Sequence, residues 1–318
     1  MSHEQEQLTP ERRRYAHTMF QNRIHRSSGQ CFEDFFVAIM TRRDSRFRPV
    51  KPQGRIGDQG NDGFIPEEGR YFQVFAPEDP TDKSDKAAEK AKDDFEKLLK
   101  HWAADGQIVD FRFVFNDKYQ GAYPTVEHAL AELKRIHNLV VAKPFLAKDL
   151  EKEFWQLSIS DQEAVLDMVI PRTEHISDID YGALTEILQH LVDNQKSLPF
   201  AGVPSVPGYD EKIVFNGIDI ASSLLRVGNY QNSAVDQFFD RHSKFTRSDM
   251  RDRFAQSYQD AKAGDSAPDV SGDRIGDRVF FRLLNDVAPK AGKQVQDAAI
   301  VIIAYFFEKC DVFEDPPR

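Results

Sequence analysis

A Gly-rich stretch near the start of the chain carries the residues with the clearest chemical potential. It spans residues 54–64 and is followed, after a turn, by a short apolar run, Tyr71–Phe75. Asp62 stands near the end of the Gly-rich stretch, and Gln73 is the polar residue in the middle of the apolar run. The pattern predicts a strand, a turn and a second strand. A lone Gln inside an apolar strand needs a hydrogen-bond partner or a metal, and Asp62 is its expected neighbour across the hairpin.

Glu33 adds a third oxygen ligand to this pair. It lies beside the apolar stripe of a helix predicted from Gln30 to about Thr41. Hard oxygen ligands on adjacent elements suit Mg²⁺, with water and phosphate completing the octahedron. Glu33, Asp62 and Gln73 are therefore consistent with a metal-dependent phosphodiesterase. The alternative is a turn aspartate and a hydrogen-bonded buried amide without a catalytic role.

The elements around these residues predict an α/β domain over residues 1–145, with helices flanking a mixed sheet. Residues 1–145 are long enough for one such domain. The predicted helices are Thr9–Arg26, Gln30–Thr41, Ser84–Ala104 and Thr125–His137, and the strands are Phe47–Lys51, the hairpin, Val109–Phe115 and Leu139–Ala142.

The remainder of the chain predicts helices almost throughout. Residues 146–210 form a helical connector that ends in a Pro-rich linker, and residues 211–318 form a helical C-terminal domain. Two capping boxes are expected, one at Ser160–Glu163 and one at Thr246–Asp249. The other predicted elements are one or two helices in 176–192, a short strand at Lys212–Asn216, and helices at Ile218–Arg226, Ser233–His242, Thr246–Lys262, Asp273–Asp286 and Gln294–Phe307.

Composition excludes several classes of protein. A chain of 318 residues, 40% hydrophobic and 30% charged, suits a protein of about two domains. The longest apolar run, residues 298–307, is about half of what a bilayer requires, so no membrane association is expected. The polar N-terminus does not have the pattern of a signal peptide. Only Cys31 and Cys310 are present, which excludes a disulfide framework and predicts a cytoplasmic protein.

Charge is distributed unevenly along the chain. The net charge is −10, yet the first 55 residues carry eleven Lys and Arg against six Asp and Glu. A basic cluster of this kind predicts either contact with nucleic-acid phosphates or a set of intrachain ion pairs. Its members are Arg12, Arg13, Arg14, Arg23, Arg26, Arg42, Arg43, Arg46 and Arg48.

The sequence GDQGNDGF followed by YFQVF resembles the core of the Mrr-like branch of the PD-(D/E)xK nuclease superfamily. The resemblance implies a restriction-endonuclease-like fold and a Mg²⁺- or Mn²⁺-dependent endodeoxyribonuclease. Asp62 matches the first metal-binding acid of that family, Gln73 the Glu/Gln of the second motif, and Glu33 the acid on the preceding helix.

One position departs from the family pattern. The motif lysine should fall at residue 75, which is Phe75. That lysine normally orients the attacking water and balances developing charge. Either a lysine at the start of the following helix reaches the site, with Lys83, Lys86 and Lys90 as candidates, or the domain binds DNA without cutting it.

The C-terminal region resembles the C-terminal domain of effector proteins of the ABC-three-component, or Lamassu-like, anti-phage systems. The resemblance is carried by the segments from Lys212 to Phe254 and from Ala299 to Pro316. It implies an assembly module that works with an SMC-like ABC ATPase and a small middle subunit. A generic helical dimerisation domain is the alternative. No Walker motif is present, so ATP hydrolysis is expected from a partner.

Together these features predict the DNA endonuclease effector of a prokaryotic defence complex against phages and plasmids, acting on DNA and assembling as a homo-oligomer. The rival hypothesis is an inactive nuclease-like subunit that binds DNA or serves as a scaffold. Asp58 is expected to cap a turn, with metal binding as the alternative, and Cys31 is expected in the core. Asn116, Asp117 and Lys118 are expected either to contact substrate or to hold a loop. Five histidines lack metal-ligand spacing: His17, His25, His101, His128 and His137.

Overall fold

The structure is a computed structural model of the chain. It describes residues 7–52, 57–80, 84–104, 106–173, 176, 180–194, 208–242, 245–265, 275–309 and 312–316. Lys83, Cys310 and most of the predicted Pro-rich linker lie outside these residues.

The chain divides into two compact units. The sheet unit is Ile24–Val165, and the helical unit combines Met1–Arg23 with Leu166–Arg318. The first predicted helix therefore lies largely in the helical unit. The domain boundaries expected at residues 145 and 210 stay predictions.

The strands of the sheet unit are β1 (Arg48–Pro49), β2 (Gly63–Ile65), β3 (Arg70–Phe75), β4 (Asp110–Phe115) and β5 (Val141–Phe145). The helices of the whole chain are α1 (Pro10–Arg26), α2 (Gly29–Arg43), α3 (Ser84–Trp102), α4 (Pro124–Ile136), α5 (Ala147–Phe154), α6 (Ile159–Leu166), α7 (Tyr181–Asn194), α8 (Tyr209–Phe215), α9 (Ser222–Asn229), α10 (Asn232–Arg241), α11 (Arg247–Ala263), α12 (Ile275–Val287) and α13 (Lys293–Glu308).

The strands form one mixed sheet in the order β1-β2-β3-β4-β5. The β1/β2 and β2/β3 pairs are antiparallel, and β3/β4 and β4/β5 are parallel. The antiparallel pair β2/β3 is a hairpin closed by a short 3₁₀ turn over Pro66–Glu68. Each parallel pair is joined by a crossover helix, α3 or α4, as parallel pairing requires. The predicted mixed sheet with flanking helices is confirmed.

Two aromatic cores cover the two faces of this sheet. On one face Phe36 of α2 packs against Phe72 and Phe145, with ring centroids 5.5 Å and 5.9 Å apart. On the other face α3 and α4 bury Phe95, Leu98, Val126 and Leu130 with the residues of β3 and β4 that point that way, including Tyr71, Phe111, Phe113 and Phe115. Because side chains alternate along a strand, Gln73 lies on the same face of β3 as Tyr71, the face covered by α3.

The helical unit is built around α13. Every residue from Gln296 to Phe307 is buried, and the helix packs against α7, α9, α10, α11 and α12. Gly228 of α9 permits a close approach, since a Cβ there would lie 2.8 Å from the Cβ of Ala304. The helix predicted at Gln294–Phe307 is present, and it lies in the core of the helical unit.

α1 is tied into the helical unit by buried polar contacts. The Tyr15 hydroxyl bonds the Glu11 carboxylate and the Ser223 hydroxyl, each at 2.7 Å. The Tyr15 ring packs against Phe281 with centroids 5.5 Å apart. The N-terminal helix therefore contributes to the core of the C-terminal half of the chain.

Several local predictions are wrong. Residues 212–216 belong to helix α8 and its end, not to a strand, because buried Lys212 reaches the Phe307 carbonyl at 3.0 Å from a helical backbone. The predicted capping box at Ser160 starts two residues too late: Ser158 caps α6 by accepting the Asp161 amide at 3.1 Å. Cys31 is exposed on α2 and is not a core residue.

Other boundaries shift by a few residues. β5 extends through Pro144 to Phe145, beyond the predicted end at Ala142, because an edge strand tolerates a proline. Thr246 caps α11 as predicted, accepting the Asp249 amide at 3.1 Å. Within the described residues, no helix has both the length and the apolar character needed to cross a membrane.

We expect Tyr15→Ala to destabilise the helical unit by about 3–5 kcal/mol, since it removes a buried ring together with its hydrogen bonds to Glu11 and Ser223. Tyr15→Phe should cost about 1 kcal/mol, because only the hydroxyl is lost. Urea unfolding of the full chain measures both. Tyr230→Ala is the matched control in the same unit, as Tyr230 is 87% exposed. A Tyr15→Ala variant as stable as the control would contradict the packing of α1.

Candidate active site at the β2–β3 hairpin

Asp62 is held at the start of β2 by three hydrogen bonds. Its amide donates to the Phe72 carbonyl at 2.9 Å, and its own carbonyl accepts the Val50 amide at 3.1 Å. Its carboxylate accepts the Val74 amide at 2.6 Å. The bonds to Phe72 and Val74 fall on either side of Gln73, so Asp62 lies beside the middle of β3.

Gln73 is buried, with 2% of its surface exposed. Its side-chain oxygen Oε1 has no hydrogen-bond partner in the structure. A buried amide oxygen without a partner costs about 1–3 kcal/mol, so it signals either a hydrogen-bond donor or a cation that completes the site.

Glu33 approaches the same place from α2. The Gly29 amide at the start of α2 donates to the Ala76 carbonyl at 2.7 Å, which anchors this helix end at the carboxyl end of β3. Burial is the largest cause of a raised Glu33 pKa, the Asp34 and Asp58 carboxylates add to it, and Lys90 opposes it. Glu33 therefore shares its surroundings with Asp58 and with a lysine of α3.

Asp58 shapes the Gly-rich turn, as expected. Its carboxylate accepts the Gly60 amide at 2.8 Å, an Asx turn. Gly60 has φ = 80°, and a Cβ there would overlap the Asp94 carbonyl oxygen, so only glycine lets the turn pack on α3. Asp58 also contributes to the electrostatics of Asp62, which makes it more than a turn residue.

The charge state of Asp62 reflects this crowding. Burial raises the pKa of Asp62 to about 8, and the Glu33 and Asp58 carboxylates add to the rise, while the Val74 amide opposes it. Three carboxyl groups thus repel one another around one buried position. Such a cluster favours a cation or a proton.

The position of the missing motif lysine is filled by a ring. Phe75 stacks on Phe115 with centroids 6.0 Å apart and an interplanar angle of 13°. On α3, Lys86 is exposed and Lys90 is half-buried. The Lys90 amine bonds Asp94 at 2.6 Å, and its charge opposes the rise in the Glu33 pKa, which links Lys90 to the acid cluster.

Lys97 is a residue that the sequence analysis missed. Its amine bonds the other oxygen of Asp94 at 2.9 Å. That bond is the largest cause of the raised Lys97 pKa, and the Asp58 carboxylate contributes to it. Lys97 sits one turn after Asp94, at a spacing that the family resemblance did not suggest.

The side-chain oxygens of Asp62 and Gln73 fit a hard divalent cation that keeps part of its water shell. Among the described residues, no group of three or more His, Cys, Asp or Glu side chains is arranged to hold a metal ion. Mg²⁺ commonly binds through one or two carboxylates and retains several waters. Asp62 and the unpartnered Gln73 oxygen meet that smaller requirement, with Glu33 close enough to act electrostatically.

The basic cluster of the first 55 residues is largely paired within the chain. Such ion pairs are weak, but they occupy these guanidinium groups and support the intrachain alternative for them. The pairs are Arg23–Asp167 at 3.4 Å, Arg42–Asp161 at 3.6 Å, Arg43–Glu153 at 2.9 Å, Arg46–Asp44 at 2.7 Å, Arg46–Glu68 at 2.6 Å and Arg48–Glu67 at 4.0 Å.

The polar residues after β4 hold a loop. The Asn116 amide donates to the carbonyls of Ile24 and Ser27 at 3.0 Å and 2.9 Å. The Asp117 carboxylate accepts the amides of Gly121 and Ala147 at 2.7 Å and 2.9 Å. These contacts account for both side chains structurally.

The comparison with known families concerns the other end of the chain. Residues 182–314 match the family model of C-terminal domain 10 of the ABC-three component (ABC-3C) systems. The match covers nearly all of the helical unit from α7 to α13. No curated protein and no solved structure gives a significant match to the chain. The expected resemblance to a C-terminal domain of ABC-three-component systems is confirmed. The effector role, the Lamassu-like assignment and the nuclease resemblance of the sheet unit stay predictions.

The raised pKa of Asp62 gives a pH dependence with a definite sign. Because the folded-state pKa lies above that of the unfolded chain, Asp62 favours folding most below about pH 4, and this contribution is lost as the pH rises to about 8. Asp62→Asn keeps an acceptor for Val74 but cannot ionise. We expect the free energy of unfolding of the variant, relative to that of the wild type, to increase by a few kcal/mol from pH 5 to pH 8.5. Urea unfolding in EDTA measures this difference.

The control for that experiment is Asp34→Asn, which removes an exposed carboxylate on α2. Its stability difference from the wild type should change little over the same pH range. A wild type and an Asp62→Asn variant that respond alike to pH would contradict the buried acid.

Proposed function

We propose that the protein is a metal-dependent DNA endonuclease that acts as the effector subunit of a prokaryotic defence complex. The observation that carries this proposal is the unpartnered Oε1 of buried Gln73 beside the crowded carboxyl of Asp62. The antiparallel hairpin followed by parallel strands, with helices on both faces, supports a restriction-endonuclease-like fold for the sheet unit.

Asp62 and Gln73 would hold the ion, with Glu33 adding negative charge from α2. Mg²⁺ or Mn²⁺ bound there lowers the pKa of a water and neutralises charge that develops on a phosphate. The Val74 amide fixes the Asp62 carboxylate by donating to one of its oxygens at 2.6 Å. Both side chains are buried, each with 2% of its surface exposed.

Lys90 is our candidate for the role of the missing lysine. Phe75 is committed to the aromatic core, so the strand offers no cation at the motif position. Lys90 comes from α3, the helix that covers the Gln73 face, and its charge acts on Glu33. An ammonium group there can orient a water and offset charge on the transferring phosphoryl group.

The helical unit supplies the second part of the proposal. Its match to a C-terminal domain of ABC-three component systems supports a role in a multi-component system. We propose an SMC-like ABC ATPase and a small middle subunit as the partners, with the effector pairing as a homo-oligomer to cut both DNA strands. Control by a partner is expected, because an unregulated nuclease would damage its host.

A second function is favoured by a specific observation. Phe75 stands where the catalytic lysine belongs, and an inactive nuclease-like subunit that binds DNA or acts as a scaffold needs no such lysine. In that case Asp62 and Gln73 would be remnants of a site.

Plasmid cleavage in Mg²⁺ or Mn²⁺, by the chain reconstituted with its genomic neighbours, separates these functions. We expect the wild type to cut and Asp62→Ala to lose at least 100-fold in rate, since the ion loses a principal ligand. Glu33→Gln should lose less, and Asp34→Asn, its exposed neighbour, should retain full activity. Mg²⁺ should also raise the melting temperature of the wild type but not of Asp62→Ala. Uncut plasmid with DNA still bound would favour the scaffold.

Co-purification with the genomic neighbours tests the role of the helical unit. A tagged chain truncated after Gly208 should lose its partners, because it lacks most of the region that matches the C-terminal domain. The Asp62→Ala variant should keep them, since its helical unit is unchanged. Partners that remain with the truncated chain would show that the C-terminal domain is not the docking element.

A further inference from the structure

Asp94 is a buried carboxylate in the middle of α3 that the proposed mechanism does not use. Only 2% of its surface is exposed. One oxygen bonds the Lys90 amine at 2.6 Å and the other bonds the Lys97 amine at 2.9 Å. One fixed anion therefore holds two cations, one turn before it and one turn after it on the same helix.

The backbone of α3 at Asp94 is also where the Gly-rich turn docks. A Cβ on Gly60 would overlap the Asp94 carbonyl oxygen and would come within 3.0 Å of the Leu98 amide nitrogen. Asp58 holds that turn through the Gly60 amide at 2.8 Å. The contact sets the distance between the two lysines and the turn that carries the candidate metal-binding acids.

The two lysines act electrostatically on different acids of the cluster. Burial is the largest cause of the raised Glu33 pKa, and Lys90 lowers it. The hydrogen bond to Asp94 is the largest cause of the raised Lys97 pKa, and Asp58 adds to it. Lys90 thus acts on the α2 side of the cluster and Lys97 on the side of the turn.

We propose that Asp94 is a positioning residue that holds Lys90 and Lys97 together at the acid cluster, so that both amines meet the same DNA phosphate. This inference rests on the proposed nuclease function. Two cations on one phosphate would replace the single lysine that the strand lacks at Phe75.

The chemistry asked of the pair is limited. In hydrolysis, a water oxygen forms a bond to phosphorus, the bond from phosphorus to a deoxyribose oxygen breaks, and the water proton passes to the departing oxygen. The two amines offset charge on the non-bridging oxygens while this exchange takes place. The stabilisation that the two amines give the transition state depends on their position, because two unrestrained lysine side chains would sample many rotamers.

A role in helix stability alone does not account for this arrangement. Exposed ion pairs at i,i+3 and i,i+4 contribute a few tenths of a kcal/mol and do not require a buried carboxylate. Lys92 of the same helix pairs instead with an exposed carboxylate, that of Glu132 on α4, at 2.5 Å. Lys92 is therefore a matched control for Lys90 and Lys97.

The test compares steady-state plasmid cleavage by the reconstituted complex with DNA affinity measured in Ca²⁺, for Asp94→Asn, Lys90→Ala, Lys97→Ala and Lys92→Ala. Asp94→Asn removes a negative charge, so a purely electrostatic role predicts tighter DNA binding and undiminished cleavage. A positioning role predicts a cleavage rate constant that falls about 10- to 100-fold while DNA binding is equal or tighter. Lys92→Ala should cut like the wild type.

The triple variant Asp94→Asn/Lys90→Ala/Lys97→Ala guards against misfolding of the single variant. If Asp94 acts through the two lysines, the triple variant should be little worse than Lys90→Ala/Lys97→Ala, because residues that act as a unit are not additive. Full additivity, or cleavage by Asp94→Asn at the wild-type rate, overturns the inference and leaves the nuclease intact. A wild type that cuts nothing removes the proposed function, and this role of Asp94 with it.

Discussion

The hydrogen bond from the Val74 amide to the Asp62 carboxylate ties a buried acid to the central strand of a small sheet. Around that bond the structure accumulates negative charge, since Glu33 arrives from α2 and Asp58 from the turn. A fold selected for stability alone would place apolar groups at such a position, because buried like charges oppose folding. The apolar surface buried in the aromatic cores on both faces of the sheet contributes the stability that offsets this electrostatic cost.

The hairpin could be predicted from the sequence because the pattern that determines it lies within a short stretch of the chain. A Gly-rich turn, an apolar run and a polar residue at the centre of that run fix where Asp62 and Gln73 lie along the chain. The strand prediction at residues 212–216 is wrong for the same reason, since KIVF fits a strand locally. The partners of the buried lysine in that helix, the Phe307 carbonyl and the Asp315 carboxylate, are about a hundred residues away. Cys31 was misplaced because it lies next to the apolar stripe of α2, although its own side chain is exposed.

The surroundings of the site depend on contacts that no local pattern contains. These contacts depend on how the crossover helix α3 packs on the sheet. They include the stacking of Phe75 on β4, the contact of Gly60 with α3 at Asp94, and the place of Lys97 in the same network. The pairing of the N-terminal arginines is of this kind as well: their partners, such as Asp161 and Glu153, are more than a hundred residues away. A cluster of like charge in sequence is thus a poor guide to free charge on a surface.

The position of α1 in the helical unit has a consequence for synthesis. The sheet unit is complete once Val165 has left the ribosome, whereas the helical unit needs both α1 and the last helix of the chain. Translation of the remaining stretch, about 150 residues, takes roughly 8–30 s at typical rates. During that interval the apolar side of α1 has no core to pack against. All residues of the sheet unit, which carries the acids, have by then been synthesised.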